Sequence, residues 1–258
     1  MRFLSARRWL QAGAGIGLAL ALAGGAQAEE ATGAAGLPVE QIEQIVRDYL
    51  MREPEVIYQA LDELQKRQAA AESERQRAAI ADNREQLMSD AGDPIAGNPD
   101  GNVTVVEFFD YQCTYCRQVV KSVRELLDED QELKVVFKEF PILGEASVVA
   151  ARASLAAREQ GQEHYLPFHL ALMGSRDLSL GAIMKLAAQV GLDTERLTSD
   201  MRAPAIDQQL QANFMLAQKL GIEGTPAFVI GEELVPGALD KARLASLVDE
   251  ARANCATC

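Results

Sequence analysis

Two cysteines stand two residues apart in the stretch EFFDYQCTYCRQVV, Glu107 to Val120. A thiol pair at this spacing can be a staple, half of a metal site, or a reaction centre. An aromatic, apolar run leads into the pair and a helix-like run leads out. Where a strand ends and a helix begins, the first cysteine, Cys113, sits at the helix amino terminus, where free N–H groups and the macrodipole favour negative charge. Thiolate is the reactive form of the side chain. Cys116 then lies one turn inside the helix, placed to attack a mixed disulfide on Cys113 and release the substrate. On this reading Cys113 is the nucleophile and Cys116 the resolving thiol. A zinc half-site would need two more ligands, and the chain offers two histidines, His164 and His169, and one further cysteine pair. A structural disulfide across so short a loop gains little chain-entropy stabilisation. A buried, inert pair is the third alternative.

The elements around the pair support a reaction centre. NVTVVEFFD, before Cys113, reads as a buried strand; Cys116 to Leu127 reads as a helix; LKVVFKEFPIL, 133–143, reads as a second strand. Strand, helix, strand implies a βαβ unit with parallel pairing, hence an α/β fold. Residues 146–220 are almost wholly helical in pattern. PAFVIG, 226–231, reads as a strand, ELVPG as its hairpin partner, and DKARLASLVDEARA as a final amphipathic helix. Ahead of the turn-rich boundary AGDPIAGNPDG, 91–101, lie two apolar stripes at helical spacing (Ile42, Ile45, Val46, Tyr49, Leu50; then Val56, Ile57, Ala60, Leu61, Leu64) and a polar, alanine-rich run, 65–86. The stripes are too short to bury themselves alone, and the linker character of the polar run favours self-association over a fold-back hairpin.

The amino terminus reads as an export signal. Arg2, Arg7 and Arg8 precede a short run rich in alanine and glycine, and Ala26-Gln27-Ala28 forms a small-x-small cleavage site. The expectation is cleavage after Ala28, no membrane insertion afterwards, and a periplasmic protein. Loss of residues 1–28 removes three arginines and no acid, so the net charge moves from −13 to −16. An acidic surface of this size disfavours nucleic acid and anionic membranes as partners. At this length an apolar core can carry stability, so four cysteines do not define a disulfide-dense scaffold.

EFFDYQCTYC together with GTPAFVIG resembles the thioredoxin-fold family, in particular its DsbA-like branch of exported thiol-disulfide interchange proteins. The resemblance covers about residues 100–250. It implies that Glu107, six residues before Cys113, is a buried acid that shuttles protons for the resolving cysteine; from its place on the next strand, Lys138 is read as the electrostatic partner. It implies a cis-proline at Pro226 and a substrate-binding loop at Thr225-Pro226, where Thr225 can offer its backbone N–H and C=O to an extended chain. Cys116 and Pro226 are 110 positions apart, which suits the helical insertion of the DsbA-like branch. The dipeptide Thr114-Tyr115 departs from the Pro-His of the strongest oxidant in the family, so no imidazole supports the Cys113 thiolate there, and a weaker oxidant is expected. The helical front end resembles the ScsC-like, suppressor-of-copper-sensitivity subgroup, whose members are trimers. The resemblance therefore implies a disulfide isomerase, with a dithiol oxidase as its near neighbour, acting on misfolded or reduced exported proteins and reset by a membrane redox partner protein, without a cofactor.

The expected organisation is a signal peptide (1–28), a helical oligomerisation segment (29–64, with homotrimer contacts through 37–64), a polar helical linker (65–96), a DsbA-like thioredoxin domain (97–252, insertion about 146–220) and a cysteine-containing tail (253–258). In the tail, Cys255 and Cys258 lack the strand before and helix after that would activate them; a tail disulfide or a soft ion such as Cu(I) are the alternatives. His164 and His169 are five apart and share no helix face well, so they read as packing residues. Rival classes are a periplasmic copper-binding or copper-tolerance protein and a non-redox scaffold or chaperone.

Overall fold

The structure, a computed structural model, describes residue 36 and residues 38–254. The signal segment 1–28 and the tail cysteines Cys255 and Cys258 lie outside the described residues. The chain divides into two units, up to Ala60 and from Leu61 onward.

In the first unit, helix α1 (Val39–Arg52) carries its apolar residues on one stripe yet buries none of them. Val39, Ile42, Ile45, Val46 and Tyr49 are all exposed. Pro54 follows, and helix α2 (Glu55–Asp82) begins just after it, because proline has no N–H to lose at a helix start.

The second unit is built on a five-stranded mixed sheet. Strands β1 (Ile95–Gly97), β2 (Val103–Phe109), β3 (Leu133–Glu139), β4 (Ala227–Ile230) and β5 (Glu233–Pro236) lie in the order β1-β3-β2-β4-β5. β2 and β3 are parallel, as their connection by helix α4 (Thr114–Glu129) requires; the other pairings are antiparallel. The insertion comprises α5 (Glu145–Arg158), α6 (Gln162–Gly174), α7 (Leu180–Gln189), α8 (Thr194–Asp200) and α9 (Pro204–Leu220), and helix α10 (Lys241–Asn254) is the last element among the described residues.

Side chains alternate across the sheet with period two, so the two faces belong to different cores. Val105, Phe109, Val135 and Phe137 pack with α4, α5, α6 and α10. Val106, Phe108 and Val136 pack with α9, with Ile80 at the end of α2, and with Leu87 and Met88 of the short helix α3 (Arg84–Met88).

Two departures from the sequence reading concern the stretch expected to be linker. Residues 80–88 bury apolar side chains against the sheet, so only the earlier part of 65–96 is exposed throughout. β1, inside the turn-rich boundary, pairs with β3 through Ile95↔Val136 and Ala96↔Val135. Gly97 ends β1 at φ +80, and a Cβ there would sit 2.3 Å from the Leu133 carbonyl oxygen, so only glycine fits.

Candidate active site

Cys113 is the N-cap of α4. Its Sγ accepts a hydrogen bond from the Cys116 N–H at 3.3 Å. The sulfur thus does what a Ser or Asp oxygen does at other helix starts, and the dipole and unpaired N–H groups of α4 converge on it. On its other side the Cys113 thiol donates to the Thr225 carbonyl at 3.2 Å. Both cysteines are free thiols and buried. The Thr225–Pro226 peptide bond is cis, and the Thr225 carbonyl faces the sulfur. Thr114 and Tyr115 are exposed beside the thiol, Tyr115 at 63%.

Beneath this surface lies the acid. Glu107 sits mid-strand on β2 with Phe137 and Phe228 as its neighbours across the sheet. Burial pushes its carboxyl up from 4.5 to about 8. Burial also pushes the Cys116 thiol well above its usual range, and a negative Glu107 pushes it further the same way. Cys116 is therefore a thiol that needs a base, with a carboxyl beside it whose ionisation falls near neutrality.

Lys138 does not serve Glu107. In the parallel register Lys138 lies opposite Phe108, not Glu107, so the two side chains project from opposite faces of the sheet. The Lys138 ammonium is fully buried on the second face, where it pairs with the Asp93 carboxylate and the Gln86 carbonyl. The expected Glu107–Lys138 partnership is thus replaced by a Lys138–Asp93 pair.

The structure adds residues the sequence reading passed over. Asp110 braces the loop before Cys113: it accepts from the Gln112 N–H (2.7 Å), the Ser147 hydroxyl (2.6 Å) and the Leu143 N–H (2.9 Å). Tyr111, also in that loop, reaches into the core, where its hydroxyl meets Glu139, Ser154 and His169. The signals for these were present: Glu139 interrupts the apolar run VVFKEF, and His169 the run LPFHLALM. Among the described residues, no group of three or more His, Cys, Asp or Glu side chains forms a metal donor set.

A thioredoxin-type sheet with a dithiol at a helix amino terminus, facing a cis-proline loop, defines the class as a thiol-disulfide oxidoreductase fold. The DSBA-like thioredoxin domain family matches residues 104–249, and the chain belongs to that family. The Copper resistance protein ScsC N-terminal domain family matches residues 39–71. Among solved structures, a thioredoxin-like oxidoreductase from Silicibacter pomeroyi DSS-3 is 48% identical, with a TM-score of 0.64, covering 66% of this chain and 98% of that one. The catalytic domain of Proteus mirabilis ScsC is 31% identical, with a TM-score of 0.64, covering 69% of this chain and 99% of that one. The Na(+)/H(+) antiporter NhaA of Herminiimonas arsenicoxydans is 29% identical over 163 residues, which are 62% of this chain and 26% of that protein. The chain thus spans about a quarter of the length of that curated relative.

Proposed function

We propose that this chain is a periplasmic protein disulfide isomerase that works as a homotrimer. The observation that carries the reading is the stacking of one exchange-competent sulfur, Cys113, over a buried thiol, Cys116, and a buried base, Glu107, next to the carbonyl of Thr225. The Cys113 thiolate attacks one sulfur of a client disulfide; the Cys113–client bond forms, the client S–S bond breaks, and the other client sulfur leaves as thiolate. A different client thiolate then attacks the mixed disulfide, and Cys113 returns as thiolate with no net change in electrons. When the client stalls, Glu107 takes the Cys116 proton and Cys116 attacks the Cys113 sulfur. The client departs reduced by two electrons and a Cys113–Cys116 disulfide remains, which a membrane redox partner protein returns to the dithiol.

Three features favour shuffling over one-way oxidation. No imidazole stands between the cysteines, since Thr114 and Tyr115 occupy those places. A backbone rim at Thr225-Pro226 holds client chains without reading their sequence. The apolar stripe of α1 is exposed in the single chain and suits contact with two further copies through residues 37–64. A trimer turns several active sites toward one misfolded exported protein. The signal segment ending at Ala28 supports export.

The test is reactivation of scrambled ribonuclease by the full chain beside its Ile42→Asp, Val46→Asp variant. Truncation near Gly97 is unsuitable, because it would strip Ile80, Leu87 and β1 from the core. Reactivation that falls with the double variant, while oxidation of reduced ribonuclease is retained, supports a multimeric isomerase. Fast oxidation without reactivation by either form replaces it with a dithiol oxidase.

A further inference from the structure

His169, on α6, is buried in an aromatic cage: it stacks on Tyr165 (centroids 5.6 Å apart, planes at 24°) and meets Phe109 edge-on at 4.8 Å. Its Nδ1 lies 3.1 Å from the Tyr111 hydroxyl, which also lies 2.7 Å from the Ser154 hydroxyl and 3.0 Å from Glu139 Oε1. These four groups come from the loop before Cys113, from β3, from α5 and from α6, so the network ties the insertion to the active-site loop. Glu139 is buried, and its Oε2 has no hydrogen-bond partner. Burial pushes its carboxyl well above the usual range.

The Tyr111 hydroxyl holds the Nδ1 edge of His169, so the Nε2 edge is the one left for other partners. Burial holds His169 neutral, down at about 3. A neutral imidazole has one donor and one acceptor nitrogen, and either kind can hold a water molecule at the Nε2 edge.

That imidazole lines a cavity of about 20 Å³, together with Glu107, Val123, Arg124, Phe137 and Leu166. The space suits roughly one water molecule. We propose that His169 is a positioning residue for the exchange reaction: its Nε2 edge, oriented by Tyr111, holds one water molecule in this cavity that donates a hydrogen bond to the Glu107 carboxylate and favours its ionised form. The inference rests on the role of Glu107 given above and deepens it. The other titratable or charged groups facing Glu107 are Cys116 and Arg124 from α4 and Tyr165 from α6. Phe137 and Phe228, on the flanking strands, bring no charge. Arg124 is exposed and lies 4.0 Å from Asp128, so solvent screens it. His169 is left as the buried polar side chain that lines this cavity beside Glu107.

The test uses the full chain, labelled with carbon-13 at glutamate side-chain carboxyls, with the Glu107 signal assigned by its loss in Glu107→Gln. Two midpoints are read: the carboxyl titration itself, and the pH at which Cys116 resolves a Cys113–glutathione mixed disulfide in a single turnover. A donor withdrawn from the carboxylate disfavours the charged form, so His169→Phe raises both midpoints by about one pH unit. Below the midpoint, resolution then slows about tenfold. His169→Gln, which keeps an N–H, restores most of the shift, and Tyr111→Phe moves both midpoints the same way by less. In a Glu107→Gln background His169→Phe has no further effect on resolution. Unmoved midpoints in a folded His169→Phe protein overturn the inference and leave the oxidoreductase reading standing. A carboxyl midpoint that shifts in a protein showing no exchange leaves the contact standing and removes that reading. Should His169→Phe fail to fold, unmoved midpoints in Tyr111→Phe overturn the inference.

Discussion

The two faces of the central sheet each bury ionisable side chains, and they treat them in opposite ways. On the face toward α9, Lys138 is fully buried but holds a carboxylate, Asp93, which is itself tied to Gln209 at 2.8 Å. On the face toward α4, Glu107 is equally buried, has no ion-pair partner among the described residues, and is raised by burial. A paired buried charge is a structural device: the ions stabilise each other, and removing either leaves the other buried without its counter-charge. An unpaired buried carboxyl costs stability whenever it is charged, which makes it ready to take up and release a proton. The adjacent positions Lys138 and Glu139 show the same division: Lys138 is paired with Asp93, while Glu139 is held in a hydrogen-bonded network and pushed well above the usual range by burial.

Five variants test that division and the site it serves, beginning with the largest effect. Cys113→Ser removes the attacking sulfur, so thiol-disulfide exchange falls to the uncatalysed background while the melting temperature stays close to that of the parent; residual exchange through Cys116 would show that the buried thiol can reach clients unaided. Glu107→Gln slows resolution of a mixed disulfide by about 100-fold, the lower range for loss of a general base, in single-turnover measurements. It also has a signed effect on stability. A carboxyl whose folded value is raised from 4.5 to about 8 binds more protons in the native state, so it withdraws stability as pH rises through that window. The Glu107→Gln protein should therefore gain on its parent between pH 5 and pH 8, by on the order of a few kcal/mol in denaturant titrations. An equal gain at both pH values would mean that Glu107 does not titrate in this window.

Asp93→Ala acts on the other face. It leaves Lys138 buried without its counter-charge and should cost about 3–5 kcal/mol, with exchange per folded molecule unchanged. The apolar pair Asp93→Leu with Lys138→Met should recover most of that loss; failure to recover would mean that the pair does more than balance its own charges. Asp93 is raised from 3.8 to about 6, by burial first, so its pairing with Lys138 is fully formed only above that value. The smallest effect is expected at the exposed dipeptide. Tyr115→His supplies an imidazole beside Cys113 and should raise the reduction potential by about 30 mV in equilibrium with glutathione, equivalent to about 1.4 kcal/mol of thiolate stabilisation.

The centre of this site was legible in the sequence because its parts are local. A buried strand, CxxC and an amphipathic helix occupy one continuous run, and β4 announces itself as PAFVIG after Thr225. The Lys138 assignment went astray because the side of a strand on which a residue projects depends on register, and a shift of one position exchanges the two faces. β1 was missed because three residues flanked by proline and glycine carry no period. The Tyr111–Glu139–Ser154–His169 network spans 58 positions and three further elements, so no local pattern contains it. What remained visible was Glu139, beside Lys138, in one apolar run and His169 alone in another, a pattern that burial turns into chemistry only when the runs meet.

The brevity of β1 and β5 has a consequence for the company this protein keeps. An unpaired sheet edge is a template on which another extended chain can grow, and unfolded chains rich in apolar segments are the most ready to use it. Here one margin is a three-residue strand stopped by a left-handed Gly97, and the other a four-residue strand that ends in Pro236. Under the proposed function, these short margins spare the protein from co-aggregating with unfinished clients, which could trade sulfur atoms with it but would find no long border along which to add a strand.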